Sequence, residues 1–349
     1  MSKDKKLRLP AIIQHGWHVL PHVVVDAYNE ELKGKDGFIG DRASKGAFRD
    51  ILDRWRKEVG SKGKQDPFGD TPTYSLTKSQ LDEYFEGDDP VAAALLHTAV
   101  EEFAGELASV TARFLQLEEW KDTEHIVIGG GLSGSHIGKL AIGRALILLN
   151  EKGFDIEMSA ITNHPDEAGL LGSIELAPSW ILDGHDAIVA VDIGGTNLRV
   201  GIVELKMKKG DITKAGVWKS SLWRHKDDDP TRDDAVARIA GMIDKLVTQA
   251  EDEKLRVAPF IAVGCPGQIT RDGTIEKGAQ NLPGDWEDHD FSLSGELARQ
   301  LRLINGHEPL HNDAVVQGLS EAGNMQDVEH WGVFTIGTGL GNARFTNRK

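Results

Sequence analysis

The chain has 349 residues, more than one hydrophobic core comfortably serves, so its length predicts two domains. It is 40% hydrophobic and 27% charged, with 39 glycines, one cysteine and a formal net charge of −15. No run of about 18 apolar residues occurs, which excludes a membrane-spanning helix; the lone Cys265 excludes an intrachain disulfide or a multi-cysteine zinc site and fits a reducing cytoplasm; and the negative charge argues against binding nucleic acid through a broad electrostatic footprint. The same field repels phosphate, so a nucleotide would have to be held by local backbone N–H groups and Mg²⁺. The basic N-terminus MSKDKKLRLPAII lacks the apolar core and cleavage site of a secretion signal.

Residues 1–80 mix strand-like and turn-like residues, including a polar loop, KEVGSKGKQDPFGDTP, and show no clear period. A long helix is predicted from Pro90 to about 118, capped by Asp89, with Val100, Phe103, Leu107, Val110 and Phe114 forming one apolar stripe. A strand, HIVI, runs into GGGLSGS and a helix through Ile137, Leu140 and Ala141 to about Asn150, with Gly153 placed to end it. DIEMSAI reads as a strand and HPDEAGLLGSIELAPS as a helix start. From Ala187 the style changes. AIVAVDI, LRVGIVEL and AGVWKSSLWR are strands, RDDAVARIAGMIDKLVTQAEDEK is an amphipathic helix, FIAVG a buried strand, DAVVQGLSEAG a short helix, and GVFTIGTGLGNARF a strand, glycine turn and strand. The pattern is two α/β halves with glycine turns at strand ends and no internal repeat.

Four constellations carry chemistry. In Asp192-Ile193-Gly194-Gly195-Thr196 the glycines let a hairpin turn approach a phosphate, the threonine hydroxyl adds a donor, and Asp192 can hold Mg²⁺ directly or through water. Gly337-Thr338-Gly339-Leu340-Gly341 is a second turn of the same design. Asn312 and Asp313 precede a helix, where either caps it or Asp313 takes a proton from a substrate hydroxyl while Asn312 orients that substrate. Gly129, Gly131 and Gly134 match G-x-G-x-x-G, but a dinucleotide site wants an acidic residue ending the next strand, and Glu151 and Glu157 fit that place poorly. His15, His18 and His22 could ligate a metal, although Gly16 and Pro21 break any regular face, and Cys265 reads as a small buried residue at a strand end.

In succession, DIGGTNLR, AVGCPGQITRDGTI, NLPGDW, HNDA and TIGTGLG resemble the ROK family of sugar kinases and related repressors over about residues 187 to 345. The resemblance implies a two-lobed actin-like ATPase (ribonuclease H-like) α/β fold. It implies ATP phosphates gripped by Asp192, Gly194, Gly195 and Thr196 and by Gly337, Thr338, Gly339 and Gly341, with Mg²⁺ at Asp192. It assigns the sugar to Gly267, Asn281 and Asn312, and the catalytic base to Asp313. Parts that the family places after the second turn, a long helix, a strand ending in GGG and a closing helix, stand here in front of the first turn as 90–118, HIVIGGGLSGS and HPDEAGLLGSIELA. The simplest reading is a circular permutation joined by PSWILDGHD. Gly130, Gly131 and Ser133 then border adenosine rather than NAD.

That reading divides the chain into a large lobe, 1–185 plus 311–349, and a small lobe, 186–310. The family's cysteine-rich zinc segment is missing, so no zinc site is expected, and His311 stands where the family usually has glutamate. His15 or His18 is then a candidate for the sugar site. The expected protein is a cytoplasmic ATP- and Mg²⁺-dependent hexokinase-like enzyme acting on a small sugar, without nucleic acid or membrane partners and compatible with a homodimer. The rivals are a silent sugar sensor of the same fold and a nicotinamide-dependent oxidoreductase.

Overall fold

The computed structural model describes residues 14–35, 37–61, 65–178, 181, 184–206, 214–301 and 308–348. The basic N-terminal stretch and part of the expected PSWILDGHD connection lie outside the described residues. The chain is mixed α/β and divides into two compact units. The first holds the described parts of Met1–Val25, Gly169–Gly323 and Thr346–Lys349; the second holds Asp26–Ala168 and Asn324–Phe345. The stretches 14–25, 169–178 and 311–323 thus fall in the same unit as 186–310, rather than on the other side of the division drawn from the sequence.

The sheet of the first unit runs in the order 310–312, 257–265, 187–193, 198–204, 216–223. Its three earliest strands are antiparallel neighbours, Ala187–Ile193 against Leu198–Glu204 and that strand against Gly216–Trp223. Val257–Cys265 then lies parallel to Ala187–Ile193, and Leu310–Asn312 parallel to Val257–Cys265. The near-continuous apolar run of Ala187–Ile193 suits a central strand covered on both faces. The helix Arg232–Asp252, capped by Thr231 on the Asp234 N–H, buries Val236, Ile239, Ile243 and Leu246 in a core with Val189, Val191, Ile261 and Trp286.

The second unit has a five-stranded sheet in the order 23–28, 340–347, 330–336, 125–129, 157–160. His330–Ile336 is parallel to His125–Gly129, which is parallel to Glu157–Ala160. The three residues joining His330–Ile336 to Leu340–Asn347 are too few for a crossover, so that pair is antiparallel. If the strands are read from 330 to 347 and then from 23 to 160, both sheets have the order third, second, first, fourth, fifth. The repeat that residue patterns do not reveal is present in the topology.

Two helices of the second unit escape the sequence reading, Lys45–Ser61 and Lys78–Glu86, the latter with a full capping box between Thr77 and Gln80. The polar loop between them is organised by buried arginines. Arg56 donates to Asp66 at 2.9 Å, to Thr73 Oγ1 at 2.9 Å and to the Gly69 carbonyl at 3.2 Å, while Arg49 donates to the Thr73 and Leu76 carbonyls. These helices pack on Pro90–Phe114, whose cap on Asp89 is as expected but which ends at Phe114 rather than 118. The core is closed by edge-on and stacked contacts among Phe114, Trp120 and Phe334.

Candidate active site at the strand ends

In a parallel α/β sheet, ligands bind beyond the carboxyl ends of the strands, and most of the first unit's predicted residues lie there. Asp192 is opposite Gly264, and Asn312 is opposite Cys265, so the ends of three adjacent parallel strands carry the group. Between Ile193 and its partner Leu198 the chain makes the predicted turn, closed by the Gly194 N–H donating to the Asn197 carbonyl at 2.9 Å. The turn is braced from outside by a residue that the sequence reading missed. Buried His225 places Nε2 2.8 Å from the Gly194 carbonyl, and the next N–H, of Lys226, donates to the Thr196 carbonyl at 3.4 Å. A histidine following a strand has no local signature for this role, because the contact spans 31 residues.

Asp192 pairs with Arg199 at 3.6 Å. Its other neighbour is backbone: a Cβ on Gly169 would stand 2.6 Å from the Asp192 carboxyl carbon, and one on Gly172 only 1.8 Å from the Val316 carbonyl oxygen. The glycines of DEAGLLG therefore let a short helix, Ala168–Gly172, press against this acid and against the helix Asp313–Leu319.

Asn312 performs the capping role: its Oδ1 accepts the Ala314 and Val315 N–H groups at 3.0 and 3.2 Å. Its Nδ2 donates to the Gly267 carbonyl at 2.9 Å, tying the strand end to the loop after Val257–Cys265. Gly267 has φ +105°, and a Cβ there would meet Ile275 Cγ2 and the Lys277 carbonyl at 2.6 Å, so this loop requires glycine. Asp313 is half-buried and accepts the Ala314 N–H at 2.9 Å. Burial, and then the nearby Asp192 charge, push its pKa up to about 7, against the weaker opposing pull of that hydrogen bond. A carboxyl group titrating near neutrality is suited to accept a proton.

Asn281 stands exposed on a turn held by the Leu282 N–H donating to the Ala279 carbonyl at 2.8 Å, and no contact described here ties it to Asn312 or Asp313. Cys265 is buried at its strand end, and burial, followed by the charges of Asp313 and Asp192, drives its thiol well above the usual range. The three histidines do not form a cluster. His15 Nδ1 accepts the Leu310 N–H at 3.1 Å, His18 Nδ1 bonds the Val25 carbonyl at 2.7 Å, and His22 pairs with Glu175 at 2.7 Å. Among the described residues no group of three His, Cys, Asp or Glu is placed to hold a metal.

In the second unit the remaining residues also sit at strand ends. Gly130 has φ +86°, and a Cβ there would be 2.3 Å from the Ile336 carbonyl oxygen. Ser133 Oγ donates to the Gly130 carbonyl at 2.8 Å, so this hydroxyl shapes the turn. Gly131 has open space around it. Glu151 closes the helix His136–Glu151 and Glu157 opens the next strand, so neither stands where a ribose-binding acid would. The second turn is closed by the Gly337 N–H on the Gly339 carbonyl at 2.9 Å and anchored by the Lys45 N–H on the Gly337 carbonyl at 3.0 Å, with Thr338 exposed at its tip and Gly341 beyond it on the strand Leu340–Asn347. A surface cavity of about 450 Å³ on the helices of this unit is lined by Trp55, His97, Glu101, Glu102 and Arg144. Among the described residues no helix is long and apolar enough to cross a membrane.

Residues 188–349 match the sequence model of the ROK family. The chain is 32% identical over 163 residues to a glucokinase of Thermotoga maritima, covering 46% of this chain and 44% of that protein. A solved structure from Listeria monocytogenes, provisionally named an N-acetylmannosamine kinase, is 27% identical over 46% of this chain and 47% of its own, with a TM-score of 0.33. This chain thus spans less than half the length of either relative. The match to the ROK family model covers the stretch that carries Asp192, Gly267, Asn312, Asp313 and the second glycine turn.

Proposed function

We propose that the protein is an ATP-dependent sugar kinase that transfers the γ-phosphoryl group to a hydroxyl of a hexose or hexose derivative. The observation that carries this reading is the pairing, across neighbouring strand ends, of a carboxyl group titrating at about 7 with a braced glycine turn built for phosphate. Asp313 takes the proton of the attacking hydroxyl. The second hydrogen on Asn312 Nδ2, the first being held by Gly267, orients the sugar together with Gly267 and Asn281. Backbone N–H groups of Gly194, Gly195 and Thr196 serve the phosphates from the first unit. Within the second unit, Gly337, Thr338, Gly339 and Gly341 are the proposed phosphate-binding residues and Gly130, Gly131 and Ser133 the proposed adenosine-binding ones.

The residues fit Mg²⁺. Asp192 and Asp313 are hard oxygen donors, and the repulsion that raises Asp313 is what a divalent cation relieves. Held by Asp192, Mg²⁺ would neutralise charge on the phosphoryl group being transferred. The glucokinase relative favours a glucose-like substrate and the Listeria protein an N-acetylated one.

The order of the chain is read as a circular permutation. Its support is the shared strand order of the two sheets, which emerges only when 330–347 is read before 23–160. The Arg348 N–H donates to the His22 carbonyl at 2.9 Å, so the strand Leu340–Asn347 is followed directly by a contact with the segment 14–25.

Purified protein with ATP, Mg²⁺ and a panel of hexoses and N-acetylhexosamines should release ADP only when the right sugar is present. Asp313→Asn should lower that rate by about 10²–10⁴ while leaving nucleotide binding intact. Sugar-independent ADP release, equal in wild type and variant, would refute the kinase and favour a sensor.

A further inference from the structure

The N-terminal segment and the site are joined through a side chain that the proposed mechanism does not use. Buried His311 receives the Asn312 backbone N–H on Nδ1 at 2.8 Å. That nitrogen must be unprotonated, so the ring proton sits on Nε2 and donates to the Trp17 carbonyl at 3.2 Å. Two further bonds sew the same segment to the strand: the Gly16 N–H donates to the Leu310 carbonyl at 2.9 Å, and His15 Nδ1 accepts the Leu310 N–H at 3.1 Å. Gly16 has φ +57° and leaves no room for a side chain, since a Cβ would stand 2.4 Å from the Ile269 carbonyl oxygen. Ile269 is two residues beyond Gly267, whose carbonyl takes Asn312 Nδ2. The contacts close a ring: Trp17, His311, Asn312, Gly267, Ile269 and Gly16.

We infer that His311 is a positioning residue, a neutral imidazole bridge that makes the segment 15–17 a working part of the sugar site by holding Asn312 and the Gly267 loop in one register. The inference rests on the kinase reading. The ring does not touch the reacting atoms; it acts through the backbone of the residue before Asp313. A displacement of about 1 Å at such a pair can cost about 10²-fold in rate.

The test separates the two ends of the bridge. In His311→Asn a short amide oxygen can still accept the Asn312 N–H but the reach to Trp17 is lost; His311→Gln reaches Trp17 but abandons Asn312. Both should worsen kcat/KM for the sugar by about 10-fold or more while the KM for ATP stays within about twofold. Arg348→Ala, which removes two hydrogen bonds to the Leu20 and Pro21 carbonyls in the same segment, should leave both constants within about twofold of wild type and so report mere loss of packing. Sugar kinetics of the histidine variants no worse than those of Arg348→Ala would overturn the inference. Should neither histidine variant fold, ¹⁵N-histidine spectra of the wild type decide it: a ring protonated on Nδ1, or charged at pH 7, sinks the bridge. Absence of sugar-dependent turnover in the wild type is instead the failure of the kinase reading, and the same spectra still judge the bridge.

Discussion

The two units share one strand order but place different chemistry at its ends. In the first, the ends of the parallel strands carry Asp192, Cys265, Asn312 and Asp313, with the Asp192 charge adding to the cost of ionising Asp313. In the second, the equivalent ends carry Gly129, Gly130 and Ile336, followed by turns of glycine, serine and threonine. The sheet in each case supplies only a row of strand ends at spacings of about 4.8 Å. What distinguishes the two units is which side chains those ends bear, and how far burial has shifted them.

The largest expected difference is catalytic. Asp313→Asn should remove about 10²–10⁴ of sugar-dependent rate, whereas Gly105→Ala, in open space on the helix Pro90–Phe114 of the second unit, should leave it nearly unchanged. The same substitution should stabilise the protein. The Asp313 pKa is raised when folded, so the unfolded chain binds fewer protons between about pH 4 and pH 7, and stability falls as pH rises through that window. Asp313→Asn should therefore raise the melting temperature at pH 8 and lose that advantage at pH 4. Equal gains at both pH values would contradict the raised carboxyl pKa.

Next in size is a backbone effect on the second unit. Gly130→Ala should destabilise by about 1–2 kcal/mol from the left-handed backbone alone, with the Ile336 clash added to it, while Gly131→Ala should stay within about 0.5 kcal/mol. Urea midpoints of the two variants give the comparison, and equal midpoints would show that the turn is not held as described.

Histidine supplies the opposite pH sign in the first unit. Burial lowers the pKa of His15, and that of His311 to about 4, so the unfolded chain binds more protons below about 6.5 and stability should fall as pH drops from there toward 4. His311→Asn should flatten that limb in a thermal titration. Smallest of all is the exposed Asp186–Arg256 pair at 2.8 Å. Hydrogen bonds from Arg256 hold the Asp186 pKa at about 2, yet solvent screens the pair, so Arg256→Ala should barely move the melting temperature at pH 7.

Much of this was legible before any coordinates. The first glycine turn, its flanking strands and the helix Arg232–Asp252 follow from alternation, a 3.6-residue period and capping, which are local rules. The division of the chain was less so. Residues 14–25 and 169–178 join the first unit through contacts such as His311 to Trp17 and His22 to Glu175, which span 294 and 153 residues. The helices Lys45–Ser61 and Lys78–Glu86 are stabilised by arginines buried among loop carbonyls, and that burial has no sequence period. The roles of His225, Gly169 and His311 were hidden for the same reason: each acts on a residue distant in the chain or through a ring tautomer set by its partners.

The sequence by itself determined the residue types that make the site plausible: glycines where backbone must approach closely, an aspartate at a helix start, one buried cysteine and too few cysteines for a zinc cluster. Those follow from short-range stereochemistry and composition. Only the tertiary structure decided that Asp313 is half-buried near the Asp192 charge and titrates near neutrality, that Asn312 caps a helix while holding Gly267, and that the two sheets repeat one another. Desolvation, long-range hydrogen bonds and strand order depend on which distant segments meet, and no local pattern of residues encodes that.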